Sequence, residues 1–142
     1  MHNVFLDTSV IISATLSNAG GSFHILNDLK NNFKFQINEY VADEVKNIIK
    51  IKFLNDPILL NKNQLLMGTS NITTLKDPTK REILEVEKYI SQKDQPILAS
   101  AIKHSNYLLT LDNEFFKDKI LDLALKKSLV ILKPKGFIEI FR

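Results

Sequence analysis

Four carboxylates in this sequence stand at junctions where a core-facing or edge position is expected. Asp7 ends the apolar run Val4-Phe5-Leu6, and Asp112 ends Leu108-Leu109-Thr110-Leu111. Asp94 opens the run Gln95-Pro96-Ile97-Leu98-Ala99. Glu44 lies three residues after Val41 and four before Ile48, which on a helix sets it at the shoulder of an apolar stripe. Its neighbour Asp43 points about 100° away. Carboxylates brought together raise one another's proton affinity and resist sharing a site. A hard divalent cation removes that conflict, since Mg2+ or Mn2+ takes carboxylate oxygens while keeping several waters. Such a centre can activate water for in-line attack on a phosphodiester and stabilise the departing oxygen, with one ion or with two.

Each acid has an ordinary reading when taken alone. In Asp7-Thr8-Ser9 the carboxylate can cap the next helix, so for Asp7 cap and ligand stand level. Asp94, with Pro96 just inside a helix start, reads alone as an N-cap. Glu44 alone is a solvated helix acid, and Asp112-Asn113 alone is a turn pair. The four together, at the expected edges, reverse these assignments. The remaining acids keep the ordinary reading: Glu82, Glu85 and Glu87 form a solvated helix face paired in places with Arg81 and Lys88, and Asp77 is a turn residue. His2, His24 and His104 lack metal-ligand spacing. Lysines 126, 127, 133 and 135 read as solvated surface before they read as an RNA contact, and the phenylalanines fit core spacing better than base stacking.

The elements that must position these acids alternate between strand and helix patterns. Strands are predicted at Val4–Leu6, Phe33–Ile37, Asn71–Leu75, Tyr107–Leu111 and Leu129–Leu132. Helices are predicted at Val10–Leu16, from a Ser22 cap to about Asn31, after an Asn38 cap along Val41, Val45, Ile48 and Ile49, and over Asp56–Met67 with Pro57 in the first turn. Further helices are expected from about Thr79 to Ser91, over Gln95–Lys103, and in an amphipathic stretch flanked by Asp118 and Asp122; Pro134 and Gly136 precede a short final turn. This alternation implies an α/β protein with a central, mainly parallel sheet and helices on both faces. Sites in such sheets form at the carboxyl ends of the strands. Asp7 and Asp112, each read as the residue following a strand, fall on one edge.

The 142 residues suffice for one domain, 1–142, and are too few for two. Cysteine is absent, which excludes disulfides, thiolate zinc sites and cysteine nucleophiles and fits a reducing cytoplasm. No signal-like segment precedes Val4, and the apolar runs fall far short of the ~20 residues a membrane helix needs. A net charge of +3 permits phosphate-backbone binding without requiring it.

With these residues in place, the sequence resembles the PIN domain family, including the VapC-type toxins of toxin–antitoxin pairs. The matching pieces are Val4-Phe5-Leu6-Asp7-Thr8-Ser9, Val41-Ala42-Asp43-Glu44-Val45, Lys93-Asp94-Gln95-Pro96-Ile97-Leu98-Ala99-Ser100-Ala101 and Leu109-Thr110-Leu111-Asp112, in order and at about the family spacing over nearly the whole chain. The third piece is the most specific. The resemblance implies a PIN-like nuclease domain that cleaves single-stranded RNA with Mg2+ or Mn2+, with Asp7, Glu44, Asp94 and Asp112 as the catalytic, metal-binding cluster. Thr8, Ser9 and Thr110 become supporting hydroxyls. An antitoxin protein and a homodimer are the partners it suggests. The chain departs from the family after Asp112, where Asn113-Glu114-Phe115-Phe116 brings a further acid, Glu114, to which no role is assigned.

Other classes fit less well. A HAD-type phosphatase needs a second Asp two positions after the first, where this chain has Ser9. A receiver domain needs an acid pair before its phosphoacceptor, and a flap-type nuclease has a longer chain and more acids. The alternative from a different class is a PIN-fold scaffold that binds RNA or protein without cutting.

Overall fold

The structure, a computed structural model, describes residues 1–141. Its elements run β1 (His2–Leu6), α1 (Thr8–Leu16), α2 (Gly21–Asp28), β2 (Phe33–Asn38), α3 (Glu39–Lys52), α4 (Pro57–Thr69) and β3 (Thr73–Leu75). They continue through α5 (Lys80–Leu84), α6 (Gln95–His104), β4 (Tyr107–Leu109), a 3-10 turn at Asn113–Phe116, α7 (Asp118–Lys126), β5 (Val130–Leu132) and α8 (Pro134–Phe141). The five strands form one sheet in the order β3-β2-β1-β4-β5, and every pairing is parallel.

β1 lies at the centre because its apolar run can be buried on both sides. Val4, Phe5 and Leu6 alternate between the two faces of the sheet, and all three are fully buried. From β1 the chain builds outward to β2 and β3, then returns to the other side of β1 for β4 and β5. The direction of winding therefore reverses between β1 and β4, which opens a crevice beyond their carboxyl ends. Asp7 follows β1 and Thr110 follows β4, and the backbone N–H of Asp7 donates to Leu109 O at 3.0 Å across this gap. The sheet arrangement agrees with the sequence reading, and so do the Asn38 cap, which accepts from Val41 N–H, and Pro57 at the start of α4.

Five sequence expectations need correction. The helix predicted from Thr79 to Ser91 ends at Leu84; Val86 and Tyr89 bond three residues back, and the chain descends to Ser91 in tight turns. Val86 and Ile90 are still buried, because their spacing fits tight turns as well as a helix. The carbonyls of Glu87 and Ile90, left without helical partners, accept from the Gln95 side chain. β4 stops at Leu109 instead of Leu111, so Asp112 is not the residue after the strand. Side chains take over the ladder donors there: Ser9 Oγ accepts from Leu111 N–H and Thr110 Oγ1 from Asp112 N–H.

At α2 the cap is Gly20, not Ser22, because the first helical bond runs from His24 N–H to Gly20 O; the helix ends at Asp28, short of Asn31. The final turn is a two-turn helix, α8, since Pro134 needs no N–H partner at a helix start. Phe137 and Phe141 pack from α8 onto Phe33 of β2 and Tyr107 of β4, with ring centroids 4.9–5.6 Å apart. A Cβ on Gly21 would meet Ile138 Cδ1 at 3.2 Å, so the glycine lets α2 approach α8 closely. Finally, Glu82 pairs with Lys103 of α6 at 2.8 Å, not with Arg81 or Lys88.

Candidate active site at the carboxyl edge of the sheet

The crevice opens into a cleft of about 620 Å³ lined by Asp7, Glu44, Asp94 and Asp112 together with Thr8 and Ser9. Four elements deliver these acids: the end of β1, the second turn of α3, the start of α6 and the turn after β4. Asn38, fully buried, fixes two of them relative to each other. Besides capping α3, its amide donates to Ser100 Oγ at 2.9 Å and Pro96 O at 3.1 Å, tying the helix of Glu44 to the helix of Asp94.

Asp7 occupies the N-cap position of α1, yet its carboxylate makes no cap bond. Instead its Oδ2 accepts from Thr110 Oγ1 at 2.6 Å and Ser9 Oγ at 2.9 Å. With only 5% of its surface exposed, Asp7 is pushed above the usual carboxylate range by burial; the Thr110 and Ser9 hydroxyls and the Thr8 N–H oppose this, and the Glu44 charge adds to it. Asp94 likewise sits at a cap position without capping. Its Oδ2 accepts from Ser91 Oγ at 3.1 Å. Burial first, then the charges of Asp112 and Asp7, push Asp94 up to about 6, against the Ser91 hydrogen bond and the Lys93 charge. The helix-cap reading of both residues therefore fails on geometry.

Glu44 is half-buried and accepts from Thr8 Oγ1, as its place on the shoulder of α3 requires. Asp112 does act as a cap, for the 3-10 turn, accepting from Glu114 N–H at 3.0 Å. Thr110, fully buried, links the two ends of the crevice by donating to Asp7 and accepting from Asp112 N–H at 3.0 Å. The sequence reading missed Tyr40. Its hydroxyl donates to Lys93 O at 2.7 Å, and its phenol is pushed up by burial and then by the charges of Glu44, Asp94 and Asp7. Three carboxylates from three elements thus act on one phenol. No periodicity marks Tyr40 in the sequence, because its part is set by contacts across the fold. Ser91 and Glu114 carry no such mark either.

The cleft concentrates negative charge without neutralising it. Among the described residues the ion pairs are His24 with Asp28 and Lys103 with Glu82, both outside the cleft. Lys52 and Lys93 line it without pairing to its acids. Oxygen-only donors, raised proton affinity and unspent carboxylates fit a hard divalent cation. As the side chains stand, no three described His, Asp or Glu residues are arranged to hold one ion directly. The donors from Ser91, Thr8, Ser9, Thr110 and the Glu114 N–H engage one oxygen of each carboxylate. Direct ligation by three or more of them would require side chains to move closer together.

An all-parallel five-stranded sheet in the order β3-β2-β1-β4-β5, flanked by helices and bearing acids at the carboxyl edge, is a PIN-like α/β fold. Two solved structures share it. VapBC2 from Rickettsia felis, bound to a DNA fragment from its promoter, superposes with a TM-score of 0.68 at 17% identity, covering 92% of this chain and 98% of that one. PAE2754 from Pyrobaculum aerophilum superposes with a TM-score of 0.65 at 16% identity, covering 97% of this chain and 88% of that one. At such identities the likeness is one of fold. No protein-family model matches the sequence, and no curated protein matches it significantly. No helix among the described residues is long and apolar enough to cross a membrane.

Proposed function

We propose that the chain is a metal-dependent endoribonuclease that cuts single-stranded RNA and serves as the toxin of a toxin–antitoxin pair. The observation that carries this reading is the cleft itself: four carboxylates from four separate elements, two of them raised in proton affinity, with no basic partner. Asp7, Glu44, Asp94 and Asp112 would hold Mg2+ or Mn2+. When bound, such an ion supplies Lewis acidity toward a phosphodiester and its attacking water. Thr8, Ser9 and Thr110 orient the carboxylates beneath it, and the ammonium groups of Lys52 and Lys93 are available to RNA phosphates. The VapBC2 neighbour supports an antitoxin partner, and a homodimer is part of the same proposal.

The test is cleavage of a mixed single-stranded RNA pool by purified protein, with Mn2+ and with EDTA, alongside growth arrest on induction. Cutting with Mn2+ and silence with EDTA are expected, as is a rise in melting temperature with millimolar Mn2+ by mass action. A folded protein that is inert, harmless on induction and unshifted by Mn2+ supports the second reading, a PIN-fold scaffold. That reading is favoured by one observation, that no three described His, Asp or Glu residues stand arranged to hold one ion directly.

A further inference from the structure

Asp94 and Asp112 come from parts of the chain with little regular structure of their own. Asp94 ends a stretch of tight turns after α5, and Asp112 stands three residues past the end of β4. Like charges in one cleft repel, so each needs an external restraint to stay in place. Glu114 supplies a connection between them. Its backbone N–H donates to Asp112 Oδ1 at 3.0 Å, while its side-chain Oε1 accepts from the backbone N–H of Ser91 at 2.9 Å. Ser91 in turn donates through Oγ to Asp94 Oδ2 at 3.1 Å, and its carbonyl accepts from Asp94 N–H at 3.0 Å. The chain Asp112–Glu114–Ser91–Asp94 is therefore continuous. Its far end is anchored as well: Phe115 is fully buried, and Lys133 Nζ donates to Asn113 Oδ1 at 2.9 Å.

We propose that Glu114 is a positioning residue, which through Ser91 holds Asp94 and Asp112 in place on the cleft against their mutual repulsion, ready to take up a divalent ion. The proposal rests on the metal-site reading above for its purpose, but not for its geometry. Glu114 is not a ligand in this scheme. Its side chain is spent on the Ser91 N–H, and it works as an acceptor, so the amide of Gln can replace it.

The experiment compares wild type with Glu114→Ala, Glu114→Gln and Ser91→Ala, all in the full chain. Amide hydrogen exchange at residue 91 reads the clamp itself, without metal: it should accelerate in Glu114→Ala and stay slow in Glu114→Gln. Mn2+ affinity by calorimetry should fall about tenfold in Glu114→Ala, at the low end for residues that orient ligands, and be held within about twofold by Glu114→Gln. Ser91→Ala, which removes the next link, should weaken Mn2+ binding comparably, and the double variant with Glu114→Ala should be no worse than either single one. Equal behaviour of the Ala and Gln variants, or additive losses in the double variant, overturns the clamp. If Glu114→Ala does not fold, Glu114→Gln and Ser91→Ala still decide it, by retention and loss of affinity. If wild type takes no Mn2+ at all, the metal reading fails on its own, and the clamp stands or falls on the exchange rate of residue 91.

Discussion

The molecule treats two groups of acids in opposite ways. In the cleft, Asp7 and Asp94 are 5% exposed, lack a basic partner and are raised in proton affinity, Asp94 to about 6. On the outer surface, Glu82 faces Lys103 at 2.8 Å, closes a capping box with Thr79 and is lowered to about 2. The same chemical group is a cost in one place and a fastening in the other. Burying unpaired charge lowers stability, and a fold that keeps it has a use for it. Exposed pairing contributes little and signals only a surface well arranged for its helices.

The sharpest way to break this contrast is Asp7→Asn. The amide oxygen can still accept from Ser9 and Thr110, so the fold keeps its contacts while the charge disappears. Cleavage should fall by more than about a hundredfold, exceeding the loss seen when only an orienting partner of a ligand is removed. In EDTA the melting temperature should rise by a few degrees, since burial and the Glu44 charge no longer oppose folding. RNA cleavage and thermal unfolding measured on one preparation check both. A drop in melting temperature with cleavage intact would falsify the active-site assignment of Asp7.

How much of this was legible beforehand depended on which forces act locally. Burial on both faces writes itself into apolar runs, so Val4-Phe5-Leu6 and Leu108-Leu109 marked the central strands and hence the edge that carries Asp7. Glu44 is placed by its phase against Val41 and Ile48. Asp94 was found through Pro96 and the helix after it. The rest depended on side chains reaching distant backbone. The end of β4 is not legible in its own apolar run, because side chains of Ser9 in α1 and of Thr110 take the N–H groups of Leu111 and Asp112. The end of α5 is hidden in the sequence because Ile83, Val86 and Ile90 keep a helical rhythm through non-helical turns. α8 was missed because Pro134 and Gly136 looked like breakers, while Phe137 and Phe141 had a sheet face to cover.

A middle-sized effect should appear in the pH dependence of metal-free protein. Asp94 has a folded value of about 6, above its ordinary 3.8, so the folded state binds the extra proton between these values. Its contribution to stability is full below pH 4 or so and is lost as pH rises through about 6. Asp94→Asn removes that dependence. The melting temperature of wild type relative to Asp94→Asn, both in EDTA, should therefore fall steadily from about pH 4 to pH 7. Asp112, Asp7 and Lys93 act on Asp94 in both directions, and because they are common to the two proteins the difference isolates Asp94. A flat difference would mean that the cleft does not burden this carboxylate, and the contrast with Glu82 would lose its stronger half.

The smallest effect should come from Glu82→Gln. Gln retains an oxygen to accept from Thr79 N–H, now at 2.8 Å, and the backbone N–H of residue 82 can still donate to Thr79 Oγ1, so the capping box survives. Only the attraction to Lys103 is lost, at a site open to water where salt screens it. The melting temperature should drop slightly at pH 7, and cleavage should not change. The sign of the pH dependence is opposite to that of Asp94. Glu82 is held low by Lys103 first and the Thr79 N–H next, so its contribution is present above its ordinary value of 4.5 and disappears as pH falls toward about 2. Both pairs should therefore converge in acid and part as pH rises, with wild type melting above Glu82→Gln but below Asp94→Asn. Adding salt at pH 7 should also close the Glu82 gap while leaving the Asp94 gap largely intact, because the buried group is shielded from mobile ions. A Glu82→Gln protein that melts higher in EDTA, or that cuts RNA more slowly, would place both acid groups under the same physics and remove the reason for singling out the cleft.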